Sequence, residues 1–191
     1  MHNRRDTLFG IALAAAFAPG AGRAEAARRS AWRPYRQSQV IDGAGGLMLG
    51  YLEPDDPAVP GELAAARASG LTGLILTVAP QGQFWLDDDA FRRTRETIDK
   101  WNGIIERYPD HLLAIRTGAD LRRARTEHKL GIIYTFQGTE PLGEDLERIA
   151  MFRERGVRVI QLTHNRRNIV GDGSTEPGNA GLSNYGHQLV E

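Results

Sequence analysis

The order of apolar and polar segments predicts an α/β chain built on a parallel sheet. Short apolar runs at residues 40–41, 71–78, 112–115, 130–136 and 157–163 alternate with stretches that read as amphipathic helices. Of the 191 residues, 41% are hydrophobic and 25% charged, which suits a packed core rather than a disordered chain. The length allows one domain.

The N-terminus carries an address. Arg4-Arg5 precedes an apolar run at 8–18, then Pro19, Gly20 and the small-residue pattern Ala24-Glu25-Ala26. A charged start, a short apolar middle and an A-x-A end form an export signal over residues 1–26, and the run is too short to span a bilayer. Arg4-Arg5-Asp6-Thr7-Leu8 is similar to a twin-arginine signal, with Thr7 where Phe is common, so both export routes stay open. The reading places the mature protein in the periplasm. Residues 27–38 read as an Arg-rich linker, and 39–191 as the folded part.

Each later element has a local cause. The run at 40–41 leads into a glycine-rich loop, and Pro54 to Pro60 breaks the chain. Residues 61–69 read as a helix ended by Gly70, and 71–78 (LTGLILTV) as the second strand, closed by Pro80. Residues 87–107 form the longest helix, with Phe91, Ile98, Trp101, Ile104 and Ile105 on one face. Asp87, Asp88 and Asp89 suit its positive N-terminal end. The third strand, 112–115, precedes a helix at 119–129 with Asp120 in its first turn. The fourth, 130–136 (LGIIYTF), precedes a helix at 142–155 whose Leu142, Leu146, Ile149 and Phe152 face inward, ending at Gly156. The fifth, 157–163, opens a Gly/Asn/Arg-rich loop over 165–182, after which Ser183 reads as a helix N-cap.

Composition and motif searches exclude several functions. Lys+Arg and Asp+Glu are both 24, so there is no basic excess for a nucleic-acid footprint. Without cysteine, disulfides, thiolate metal sites and cysteine nucleophiles are ruled out. A metal would need His, Asp, Glu, backbone or water. Gly43-Ala44-Gly45-Gly46 does not fit G-x-G-x-x-G, because Met48 stands where the third glycine belongs, and no G-x-S-x-G, H-x-H or H-E-x-x-H occurs.

Parallel sheets present working residues at the carboxyl ends of their strands. His164, directly after the fifth strand, either works on a substrate, metal or proton or hydrogen-bonds the next loop. Asp42 is a ligand or a turn-maker. Gln137 is a donor to a substrate oxygen or a partner for loop backbone. Glu140 reads as a solvated loop residue. Arg166-Arg167, beside Asn165, either grips a substrate carboxylate or forms an exposed loop face. His111 reads as solvent-facing, His128 as a helix-end residue, and His187 as a helix residue away from the rim.

The stretch from Gly156 to Gly173 (GVRVIQLTHNRRNIVGDG), followed by Gly181-Leu182-Ser183-Asn184-Tyr185-Gly186, resembles the membrane dipeptidase family. Val40-Ile41-Asp42-Gly43 matches that family's opening V-I-D-G, and residues 130–138 match the strand that ends in E-G-G. The resemblance implies a (β/α)8 TIM-type barrel of which this chain supplies an incomplete part. It would hold about five parallel strands in order 1-2-3-4-5, with four to five helices. A small doubly wound sheet, with reversed strand order, is the rival architecture. The resemblance also implies a zinc-dependent hydrolase of dipeptides or small amides, in which His164 binds substrate and stabilises the tetrahedral intermediate.

The departures bear on activity. Ala44 and Gly46 stand where the family has its first metal ligands, a His and an Asp. Gln137 stands at the bridging Glu, and the remaining ligands would fall beyond residue 191. The reading is therefore of weak or absent activity for this chain. The alternative is a non-catalytic module binding peptides or small molecules. A part-barrel also leaves its edge strands unpaired and one sheet face bare, which predicts self-association, including a homo-oligomer. No membrane span is expected.

Overall fold

The computed structural model describes residues 33–79 and 89–191. The export signal, residues 27–32 of the linker, Pro80-Gln81 and Asp87-Asp88 lie outside the described residues. The elements run α1 (Arg33–Gln37), β1 (Ile41–Gly45), α2 (Val59–Ala68), β2 (Gly73–Ala79), α3 (Asp89–Arg107), β3 (Leu112–Ala114), α4 (Gly118–Thr126), β4 (Leu130–Phe136), α5 (Glu147–Glu154), β5 (Val157–Ile160) and α6 (Asn184–Val190). Among the described residues no helix is long and apolar enough to cross a membrane.

Local sequence explains the boundaries. Pro60 in the first turn of α2 starts that helix ahead of the predicted residue 61. Thr117 and Asp120 cap α4 reciprocally. The Thr117 hydroxyl accepts from the Asp120 N–H at 3.2 Å, and the Asp120 carboxylate accepts from the Thr117 N–H at 2.9 Å. The Thr117 hydroxyl, which also donates to the Asp120 carboxylate at 2.8 Å, and then the Arg116 and Thr117 N–H groups hold that carboxyl below its ordinary range. The helix predicted at 142–155 is shorter at its start. Gly143 takes a positive φ of 56°, so a 3-10 turn at Glu140–Leu142 precedes it and α5 begins at Glu147. Residues 33–37, predicted within the linker, are a helical turn tied to the end of α2 by the Tyr35 hydroxyl, which donates to Ser69 O at 3.1 Å.

All strand pairings are parallel, but the order is not the predicted 1-2-3-4-5. β2 pairs with β1 on one edge and β4 on the other, while β4 also pairs with both β3 and β5. Leu130 N donates to His111 O and Ile115 N to Ile132 O, whereas Gln161 N donates to Phe136 O. Residues 131 and 137 donate instead toward β2. Alternate residues of a strand address opposite neighbours, so β3 and β5 share one edge of β4, end to end. The cause is length: β3 has three residues and reaches only Ile132, leaving Tyr134 to Phe136 open to β5. The sheet therefore occupies four positions, β1, β2, β4 and the β3/β5 line. Among the described residues, β1 and β5 each pair with a single strand.

The core lies mainly on one face. Leu74, Leu76 and Val78 of β2 and Leu130, Ile132, Tyr134 and Phe136 of β4 pack against α2, α3 and Phe152 of α5. On α3, Ile98, Trp101 and Ile105 are buried, with Phe91 and Ile104 packed beside them, as the helical spacing predicts. The opposite face is not bare, a correction to the sequence reading. Leu121 and Ala124 of α4 cover Ile75, Leu113 and Ile133 there. Gly131 permits that approach, because a Cβ would lie 2.6 Å from the Ile115 side chain and 2.9 Å from Thr72 O. Beyond α4 the same face continues toward the carboxyl ends with Thr77 and Thr135, which are register partners.

Phe152 is fully buried and meets Phe136 edge-on at 4.9 Å and Phe91 at 5.7 Å. It joins α5 to both the sheet and α3. Phe152→Ala is expected to lower unfolding stability by about 3–5 kcal/mol, read as a reduced urea midpoint at an unchanged slope.

Candidate functional site

The carboxyl ends of β1, β4 and β5 carry the predicted residues. Within β1, Asp42 is exposed, and its carboxylate accepts from Ala44 N–H at 3.1 Å where the register with β2 shifts between Asp42 and Gly45. It therefore makes the turn, one of the two roles open to it. A Cβ on Gly45 would displace the Leu74 methyl and the Asp42 carboxylate. Ala44 and Gly46 are exposed and offer no side-chain donor.

At the end of β4, the Gln137 N–H donates to Ala79 O at 3.0 Å. Its half-buried side chain has no hydrogen bond to the described residues, so the carboxamide does not serve loop backbone. Thr139 is 1% exposed, and its hydroxyl donates to Leu162 O at 3.2 Å. Glu140, expected as a solvated loop residue, is half-buried, and its carboxylate lies 3.5 Å from Asn168 Nδ2. It folds back over Gly138, whose lack of a Cβ leaves the room.

The segment after β5 is an ordered, hydrogen-bonded loop. The Thr163 hydroxyl donates to Asp172 O at 2.9 Å, Ser174 N to His164 O at 2.8 Å and Thr175 N to Asn165 O at 2.9 Å. The Ser174 hydroxyl donates to Asn165 Oδ1 at 3.3 Å. Asn168 sits at the centre. Its Nδ2 donates to Leu162 O at 2.9 Å and Thr139 Oγ1 at 3.1 Å, while its Oδ1 accepts from Val170 N at 2.9 Å and Gly171 N at 3.3 Å. A short antiparallel bridge pairs Gly171 with Leu182, and Ser183 caps α6 by accepting from Gly186 N at 3.0 Å. Gly186 is obligatory there, because a Cβ would meet Val170 O.

His164 is half-buried on this loop. Its Nδ1 is enclosed and has no hydrogen-bond partner among the described residues, as is also true of His111 Nδ1. The enclosed Nδ1 leaves Nε2 as the nitrogen that could meet a ligand. Arg167 is committed elsewhere, pairing with Asp172 at 2.6 Å. Asn165 and Arg166 are both exposed. Of the other histidines, His111 is half-buried with an enclosed Nδ1, not solvent-facing as predicted, on a turn whose His111 N–H donates to Tyr108 O. His128 is exposed just past α4 with a positive φ of 56°, and His187 is exposed on α6.

Among the described residues no three His, Asp or Glu side chains converge closely enough to hold a metal ion. Ala44, Gly46 and Gln137 bring no carboxylate or imidazole to the rim, and the carboxylates of Asp42 and Glu140 are not joined there by a third such group. Sequence reasoning passed over Asn168 and Thr139 as working residues. Their signal was an amide three residues before Gly171-Asp172, a spacing at which Asn folds its own loop.

A family model described as membrane dipeptidase (Peptidase family M19) matches residues 30–191. The chain belongs to the membrane dipeptidase family. It is 26% identical over 134 residues to dipeptidase tcpJ of Claviceps purpurea, covering 67% of this chain and 32% of that protein. It is 28% identical over 105 residues to dipeptidase verJ of Clonostachys rogersoniana, covering 54% and 27%. Among solved structures it is similar to an amidohydrolase from Pseudomonas aeruginosa, with a TM-score of 0.67 and 26% identity, covering 88% of this chain and 44% of that one. A Rhodobacter sphaeroides metallopeptidase liganded with a phosphinate mimic of the dipeptide L-Ala-D-Ala shares the fold, with a TM-score of 0.63 at 17% identity, covering 80% and 54%. This member of the dipeptidase family thus spans about a third of the curated relatives and about half of the solved ones, and its sheet is an arc of a TIM-type barrel.

Asp172 gives the loop a pH dependence. The Ala180 N–H at 2.8 Å, and then Arg167, hold its carboxyl below the ordinary aspartate range. A depressed carboxyl stabilises the fold while ionised, above its unfolded pKa, and loses that contribution as pH falls through the lowered folded value. Amide exchange at residues 163–181 is expected to stay slow from neutral pH down to about 4 and to accelerate below it, once the intrinsic rate is divided out. In Asp172→Asn the acceleration disappears.

Proposed function

We propose that this chain is the substrate-holding part of a membrane dipeptidase-family hydrolase acting on dipeptide amide bonds, with weak hydrolysis on its own. One observation carries the reading. The loop that presents His164 is fully built, while Ala44, Gly46 and Gln137 contribute no charged ligand to the rim. In this reading the His164 imidazole donates to the amide carbonyl oxygen, the unengaged Gln137 carboxamide donates beside it, and Arg166 and Asn165 meet the dipeptide's terminal groups. The family is zinc-dependent, and zinc would supply the attacking hydroxide. A neutral carboxamide is a poor substitute for a carboxylate between two cations, so no step here is assigned to zinc.

The same observation favours a second reading, a binding module using the family's cleft without turnover. The purified chain with added Zn²⁺ is expected to release little amino acid from dipeptides. Robust turnover abolished by His164→Ala would overturn the claim of weak activity. Calorimetry is expected to show dipeptide binding that His164→Ala weakens about tenfold, the worth of one hydrogen bond. Binding without any turnover selects the binding module, and no binding by the wild type ends both readings.

Export to the periplasm is part of the proposal, supported by Arg4-Arg5, the apolar run and Ala24-Glu25-Ala26. A C-terminally tagged chain is expected in the periplasmic fraction, shortened by residues 1–26. Uncut chain retained in the cytoplasm would contradict it.

A further inference from the structure

The His164 ring lacks the usual means of being held. A working imidazole is commonly oriented by a partner on its second nitrogen, and Nδ1 here is enclosed with none among the described residues. The main chain that carries the ring then bears on its placement. That main chain is fastened at His164 O by Ser174 N, and at Leu162 O, two residues before the ring, which accepts from Asn168 Nδ2 and from Thr139 Oγ1. Asn168 Nδ2 also reaches Thr139 Oγ1, and Thr139 lies two residues after Gln137. One carboxamide therefore grips the segments after β4 and β5 together, while its oxygen folds the next turn over Val170 and Gly171.

We propose that Asn168 is a positioning residue for the substrate side of the cleft, acting through Leu162 and Thr139 to hold the His164 imidazole in register with Gln137. This rests on the reading that His164 meets the substrate amide, but the placement of the ring is measurable without any substrate. The donor half of the carboxamide carries the function. The acceptor half serves the turn.

The experiment follows His164 by peptide-resolved diethyl pyrocarbonate labelling and by the imidazole resonances in the full chain. In Asn168→Ala the labelling rate at His164 is expected to rise about tenfold, with its ring resonances shifted or broadened, while exposed His128 and His187 keep their rates. Asn168→Asp keeps the acceptor for Val170 and Gly171 but cannot donate at neutral pH, and is expected to behave like Asn168→Ala. Thr139→Val, which removes the second donor to Leu162 O, is expected to move His164 in the same direction and serves if Asn168→Ala does not fold. Wild-type labelling in Asn168→Asp, or equal increases at His111 and His164, would overturn the proposal, the latter showing general loosening. Dipeptide calorimetry on the same proteins separates the two levels. A tenfold loss of binding in Asn168→Asp supports both. A wild type that binds no dipeptide removes the functional reading, and the imidazole data still decide the positioning role.

Discussion

Every residue of β4 is buried, and that burial is the constraint on which the rest is arranged. β2 closes one edge and β3 with β5 close the other, so the polar backbone of the strand is paired on both sides. Its side chains alternate between the main core and the α4 layer, so both faces must be apolar, and LGIIYTF supplies that. Because β5 is registered on the upper half of β4, the exits of the two strands are fixed relative to each other. Gln137 leaves β4 one residue past Phe136, and Gln161 leaves β5 bonded to the Phe136 carbonyl. The placement of the rim is thus inherited from the packing of a single strand.

The two rim segments then contribute unequally. The loop after β5 is held by side chains that bond its own backbone, a polar network with few loose ends. The Asp42–Gly45 segment of β1 is held by one Asx bond from Asp42, and its glycines leave it little else. Of the two places, only one is elaborated. The Gln137 amide has the shape and hydrogen-bonding capacity of a glutamate side chain without its charge.

Much of the fold was legible in sequence because apolar periodicity is a local signal. The strand at 130–136 and the burial of Ile98, Trp101 and Ile105 on α3 follow directly from it. The parallel sheet followed from the alternation of apolar and amphipathic stretches, and the family chiefly from residues 156–186, with residues 40–43 and 130–138 beside them. What escaped depended on partners distant in sequence. That β3 stops short and shares an edge with β5 is decided by how far three residues reach along β4. That α4 covers the second face depends on Gly73 and Gly131 leaving space for Leu121 and Ile115. The start of α5 was misplaced because Leu142 continues an apolar stripe, while the left-handed turn at Gly143 interrupts the backbone beneath it. His111 was misjudged as well, since it lies on a turn bonded to Tyr108 O with its Nδ1 enclosed. At the rim, residue type located His164 and Gln137, but whether Asn168 bonds its own loop or its neighbour's is a three-dimensional fact.

The collinear arrangement of β3 and β5 separates two quantities that are easily confused in barrel proteins. The β3–α4 pair consumes chain between β2 and β4 without sweeping any additional angle about the barrel axis. Instead it thickens the floor, lodging a helix under the sheet at the end opposite the rim. Counting βα repeats along such a polypeptide therefore overstates how far round the circle it has travelled. Lengthening or trimming that floor would alter what lies beneath the cleft without shifting the angular spacing of the side chains that ring its mouth.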